Sequence, residues 1–151
     1  MARPAKMFVL GAALVFALLA PPAGAQSVAP GTPETPAAVE WQTVIHNQVQ
    51  AFRDQDAATA FSYSAAPFHQ AFKDPNDFFL AILNAGYAPV MDSESESFGP
   101  YELITPDVVL QDVRFAGKDH VFYEAVYRLG READGWRVES VTIGVMPGTS
   151  A

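Results

Sequence analysis

The sequence predicts an α+β fold, with N-terminal helices packed on a curved antiparallel sheet. Three observations carry that expectation. Apolar residues recur at helical spacing between Thr35 and Gly86. Beyond Gly86 the period changes, and four strand-like segments follow, the last two separators being short and glycine-bearing. Finally, the apolar parity flips once inside the last segment, which requires a bend.

The first helix begins at Thr35-Pro36, a cap followed by proline at the first helical position. Trp41, Val44, Ile45, Val49 and Phe52 then form one apolar stripe, with Gln42, Asn47, Gln50 and Arg53 expected to face outward. Asp56 caps a shorter helix carrying Ala57, Ala60 and Phe61, which Pro67 ends. A third helix opens at Asp74-Pro75, holds Asp77 near its positive end, and runs through Phe78, Phe79, Ile82 and Leu83 to Gly86.

Strands are expected over Ala88–Phe98, Val108–Phe115, Val121–Leu129 and Trp136–Val145. Gly99-Pro100, Ala116-Gly117-Lys118 and Ala133-Asp134-Gly135 separate them. In the last strand Trp136 and Val138 share one parity, while Val141, Ile143 and Val145 fall on the other. One extra residue near Glu139-Ser140 restores a single apolar face, so a β-bulge is expected there. Helices on such a sheet make a cone, with Trp41, Phe52, Phe61, Phe72, Phe79, Ile82, Tyr127 and Trp136 supplying much of its core.

The start of the chain reads differently. Arg3 and Lys6 precede an uncharged apolar run, Met7 to Ala20, and Ala23-Gly24-Ala25 supplies small residues behind it. That is the order of a secretory signal peptide, and the run is short for a membrane span. Export is therefore expected, periplasmic or secreted, with cleavage after Ala25 and no membrane anchor afterwards. Residues 26–38 are proline-rich and read as a flexible linker, 39–147 as one α+β domain, and 148–151 as a tail.

Composition narrows the partners. The 151 residues include no cysteine, so neither a disulfide nor a lipid-modified cysteine is available. Nine Lys and Arg face 17 Asp and Glu, a net charge of −8. Such a chain repels phosphate backbones and anionic lipid heads, which argues against nucleic acid and membrane surfaces as partners.

Three helices before a bent antiparallel sheet, with Asp134-Gly135-Trp136-Arg137-Val138 opening its last strand, resemble the nuclear-transport-factor-like superfamily, which includes ketosteroid isomerases and polyketide cyclases. More narrowly, the chain resembles a family of exported bacterial proteins defined as a domain of unknown function. The residues that carry this are Trp41-x3-Ile45-x2-Gln48-x3-Phe52, Asp56 before Ala60-Phe61, and Ala66-Pro67. Phe78, Gly86-Tyr87-x-Pro89-Val90, Gln111-x-Val113 and Gly135-Trp136-Arg137 complete the set. They span Val39 to Val145. The resemblance implies a cystatin-like, nuclear-transport-factor-like cone and carries no reaction with it.

Few residues carry a recognisable chemistry. His46, His69 and His120 lack the spacing of a helical zinc site, so no metal is expected. Asp92-Ser93-Glu94-Ser95-Glu96 has the rhythm of a calcium loop, but Ser97 and Leu103 stand where the loop needs glycine and glutamate. The acids read instead as the solvated face of a strand. No nucleophile elbow, phosphate cradle or redox fingerprint occurs, so no catalytic residue and no cofactor are assigned.

A ketosteroid-isomerase-type site would need a carboxylate base and oxyanion donors in an apolar pocket; that enzyme is a standard example of such tuning. Asp112 is the available base, but it alternates with Gln111 and Val113 and so points away from the apolar face. Gln111 itself shares a face with Val109, Val113 and Phe115, a polar amide in an apolar row. A buried amide needs partners: a helix end or loop carbonyl is favoured over Tyr127 or a bound ligand.

The leading functional expectation is a non-catalytic module holding a small, mostly apolar ligand in the cone. Tyr63, Tyr87, Gln111 and Tyr127 are its candidate pocket residues. The alternatives are an interaction module using the sheet's outer face, or a small isomerase or hydrolase. Phe122 and Val126 lie opposite Tyr123, Tyr127 and Leu129, leaving apolar area on the outer face. A homodimer through Phe122 and Val126 is the matching assembly, with Glu124 and Arg128 pairing across its axis.

Overall fold

Helix α1 (Pro36–Arg53) starts at the proline that the sequence marks as its first position. The structure is a computed structural model that describes residues 36–118 and 120–146. The expected leader, residues 26–35 and the expected tail lie outside the described residues. Residues 36–38, counted with the linker above, are already helical.

Asp56 caps α2 (Ala57–Ser62) by accepting from the Thr59 amide, as the sequence leads one to expect. Pro67, however, ends nothing. It lies in the first turn of a further short helix, α3 (Ala66–Ala71), where its missing N–H is no loss. Asp74 caps α4 (Pro75–Ile82) through the Asn76 amide. One wide turn, Leu83–Tyr87, ends in the left-handed Gly86 (φ 96°), and a last helical turn follows, α5 (Ala88–Met91).

That last turn corrects the first strand expected at Ala88. Pro89 has its φ preset for a helix's opening turn and gives up an N–H that would be orphaned there. Strand β1 therefore begins only at Ser93 and runs to Thr105. Gly99-Pro100 does not separate elements either. Phe98 opposes Val113 and Tyr101 opposes Gln111, so both residues stand against Asp112 as a bulge inside β1.

Strands β2 (Val108–Gly117), β3 (Phe122–Glu132) and β4 (Gly135–Val145) complete a sheet ordered β1-β2-β3-β4, antiparallel throughout. The bulge expected near Glu139-Ser140 is present: Arg128 opposes Ser140 and Leu129 opposes Val138, leaving Glu139 as the extra residue. The sheet is curved and unclosed. Gly130 sits beneath that bulge, where an added Cβ would come within 2.2 Å of the Glu139 carboxylate. Glycine thus lets the Glu139 side chain pass across the strand and reach Arg128 at 2.8 Å.

Two apolar clusters form. Trp41, Ile45 and Val49 of α1 pack on Val109, Val113, Phe115, Ala125, Tyr127, Leu129, Trp136 and Val138 of the sheet. The second lies among the helices, where Phe78 is surrounded by Phe52, Phe61, Phe68 and Phe72 at ring distances of 5.0–6.2 Å. Of the expected core, Phe72, Phe79 and Ile82 are half-buried and the rest are buried. The α2–α3 connection also covers part of the β4 edge, since Val138 N donates to Tyr63 O and Ala65 N donates to Val138 O.

Candidate functional site

The interior of the cone is organised around Gln111, which is 0% exposed. Its Oε1 accepts from the Trp41 indole at 3.0 Å and from Gln42 Nε2 at 3.1 Å. Its Nε2 donates to the carbonyls of Gly99, Pro100 and Asp112 at 2.9–3.2 Å. The bulge at Gly99-Pro100 breaks the ladder and leaves carbonyls facing inward, so the amide substitutes for the missing strand partner. The favoured sequence reading, satisfaction of a loop carbonyl, matches these contacts.

Gln42 corrects the helix reading. Helical spacing places it outside, yet it is buried, because Gln111 offers it an acceptor beneath α1. Hydrophobicity alone could not reveal this, since the signal is a polar partner 69 residues away.

The other three candidate residues are dispersed. Tyr63 accepts from Asn47 Nδ2 at 3.2 Å, on the far side of α1. The Tyr87 hydroxyl donates to the Val141 carbonyl. Tyr127 is buried, and burial pushes its hydroxyl well above the ordinary tyrosine range, with Glu96 and Tyr87 adding to the effect. Tyr87 and Tyr127 do meet, together with Phe52, Ile82, Val90 and Met91, around a cavity of about 20 Å³. That volume holds about one water molecule. Gln111 and Tyr63 do not line it. A wider, open depression of about 410 Å³ lies at the cone's mouth, lined by Ala88, Pro89, Asp92, Gly117, Lys118 and Tyr123.

A charged cluster fastens α1 to β1, and the sequence reading misplaced its members. Strand parity sets Glu96 among the solvated acids and helical spacing sets Arg53 outward, and the structure brings the two together. The bulge between Ser93 and Ser95 shifts the register, so Glu96 pairs with Phe115 and turns inward. Its carboxylate accepts from Arg53 Nη2 at 2.6 Å and contacts His46 Nδ1. Burial alone would raise this carboxyl; the His46 and Arg53 contacts outweigh it and hold the group below its ordinary value. Arg53 also donates to Ser93 Oγ at 2.9 Å, and Ser93 in turn donates to the Val90 carbonyl.

The outer face of the sheet has a different character. Phe122 and Val126 of β3 are each 37% exposed, and Leu110 of β2 is half-buried beside them. A groove of about 410 Å³ runs between Val126, Leu110, Asp112 and the Pro100–Glu102 segment. A smaller one, about 100 Å³, joins Asp112, Arg114 and Glu124 to the β1 bulge. Asp112 is on this outer face, as its strand parity requires. Partial burial raises its carboxyl above the ordinary value, and neighbouring Glu124 raises it further. Arg128 is paired with Glu139 of its own chain, so it is not left over for the Glu124 pairing expected across a dimer axis.

Among the described residues, no cluster of three or more His, Cys, Asp or Glu could hold a metal ion, and no helix is long and apolar enough to cross a membrane. Comparison with curated proteins gives no match. A family model does match residues 34–151, which takes in every described element, and the chain therefore belongs to the family described as a domain of unknown function, DUF4864.

Proposed function

We propose that this exported domain is a non-catalytic interaction module that works through the outer face of its sheet. One observation carries the reading: the cavity that Tyr87 and Tyr127 line inside the cone holds about 20 Å³, while apolar side chains and wider grooves stand on the outside. A drug-sized ligand needs a site of roughly 300–1,000 Å³. The four residues first considered for ligand binding have other work: Gln111 spans a bulge, Tyr87 ties α4–α5 to β4, Tyr63 holds Asn47, and Tyr127 packs the core. The buried carboxylate of Glu96 is engaged by Arg53 and His46, and Asp112 faces away from the cone, so neither stands as a base in an apolar pocket. The order of helices before a curved sheet supports a place in the nuclear-transport-factor-like superfamily.

A second reading is favoured by the depression at the mouth, whose volume falls within the ligand range. It keeps a small, mostly apolar ligand, held against Pro89 and Tyr123 instead of inside the cone. Native mass spectrometry of the protein purified from its own cell envelope separates the two. An added mass of several kilodaltons or a multiple of the chain supports the interaction module. An added mass of a few hundred daltons on a single chain overturns it in favour of the ligand.

A further inference from the structure

Resting on that reading of the outer face, we infer that its occupant is a second copy of this chain, related by a two-fold axis that sets Arg114 of each copy against Asp112 and Glu124 of the other. Three charges stand together on this face. Asp112, Arg114 and Glu124 line one shallow groove, yet none of them takes part in an ion pair among the described residues. The other outer-face pair, Arg128 with Glu139, is already closed within the chain.

Two acids beside each other in a partly desolvated groove are unfavourable alone, and the raised carboxyl of Asp112 reflects that. A cation brought from outside relieves them. The same surface holds a cation of its own, Arg114, two positions along β2 from Asp112 and directly across from Glu124 in the ladder. Side chains two apart on a strand project from one face, about 7 Å apart. A two-fold axis lying across the groove, between Arg114 on one side and Asp112 and Glu124 on the other, sets Arg114 of each copy over the two acids of its mate. One surface then supplies both halves of the match, which is what an isologous contact requires.

The shape around these charges agrees. Opposite β3 on its outer side stand Thr142 and Gly144 of β4, and opposite β2 stand Ser95 and Ser97 of β1. These small flanks leave Phe122, Val126 and Leu110 standing proud, with the two grooves on the side toward β1. At Gly144 an added Cβ would meet nothing within 4 Å. The overall charge also bears on the choice. A chain of net charge −8 repels its own kind at distance, so a stable contact between copies needs opposite charges matched locally. Arg114 against Asp112 and Glu124 provides that match.

Charge exchange tests this directly, with the chain beginning at Gln26. Arg114→Glu alone places three acids together at each end of the contact, and Asp112→Lys with Glu124→Lys places three cations there. Each should weaken self-association at least about tenfold, with an unchanged circular dichroism spectrum. Mixing the two variants should restore a heterodimer, visible by native mass spectrometry as the intermediate mass. Gly144→Arg, a steric block on the same face, should also separate the copies. A wild-type dimer that both charge variants leave intact while Gly144→Arg disrupts it would overturn the Arg114 register and keep the outer face. A dimer that survives Gly144→Arg and all the charge changes would overturn the outer-face reading itself. A monomer at high micromolar concentration would overturn the second copy as occupant.

Discussion

The indole Nε1 of Trp41 donates to Oε1 of Gln111 across 70 residues of sequence, joining helix α1 to the middle of strand β2. The bond sits where Trp41 also meets Tyr101 and Trp136 edge-on, with ring centroids 5.1 and 5.4 Å away. One amide thus fixes the helix and spans the Gly99-Pro100 bulge in β1. Replacing it with leucine strands the Trp41 and Gln42 donors and leaves the Gly99 and Pro100 carbonyls without that partner. Gln111→Leu is expected to cost about 3 kcal/mol or more, because a buried polar group left unsatisfied costs about 1–3 kcal/mol. A urea titration checks it; a change within experimental error would show that water replaces the amide.

Trp136 poses the opposite case. It is buried, yet its Nε1 is the one buried side-chain polar atom with no hydrogen-bond partner among the described residues. Arg131 lies over its ring, 4.8 Å from the centroid. Trp136→Ala should cost about 3–5 kcal/mol through the cavity it opens. Trp136→Phe should cost much less than half of that, since it removes an orphaned donor along with some area. Thermal denaturation of the two variants side by side checks the difference, and equal losses would contradict it.

Glu96 gives a pH signature. Its carboxyl is held below the ordinary value of 4.5 in the folded chain, so the unfolded state binds its proton first as pH falls. The stabilisation is therefore complete above about pH 4.5 and is lost as pH falls through the folded value. Glu96→Gln should be less stable than wild type at neutral pH, with the gap closing as pH falls below about 4.5. Asp112 runs the other way. Its raised carboxyl favours the folded state below about pH 3.8 and withdraws that contribution as pH rises. A gap between wild type and Glu96→Gln that is constant with pH would contradict this account of Glu96.

Processing is checked by N-terminal sequencing of exported material. The expected start is Gln26, from the small residues at Ala23 and Ala25 behind the apolar run. A mature protein starting at Met1 would remove the export assignment.

Much of this fold is legible along the chain because its signals are local. Asp56 and Asp74 cap helices, Gly86 takes a left-handed turn, and the parity flip around Glu139 becomes a bulge at that residue. What stayed hidden depends on partners remote in sequence. Gln42 and Arg53 look like outward polar residues until Gln111 and Glu96 are brought beside them. Gly99-Pro100 looks like a turn, and the Gln111 amide that satisfies its carbonyls inside a strand comes from a different strand. The candidate site was less legible than the fold. Tyr63, Tyr87, Gln111 and Tyr127 are polar groups on an apolar face, and whether such groups meet a ligand or each other's backbone depends on packing that no periodicity encodes.

An outer face that holds two copies together shows most plainly in molar mass. Multi-angle light scattering on the chain from Gln26, beside its Phe122→Glu/Val126→Glu variant, is expected to give twice the chain mass for the first and the single chain mass for the second. Circular dichroism should be the same for both, because Phe122 and Val126 are exposed. Equal dimer masses would contradict the outer face as the contact, and equal single-chain masses would contradict the second copy as its occupant.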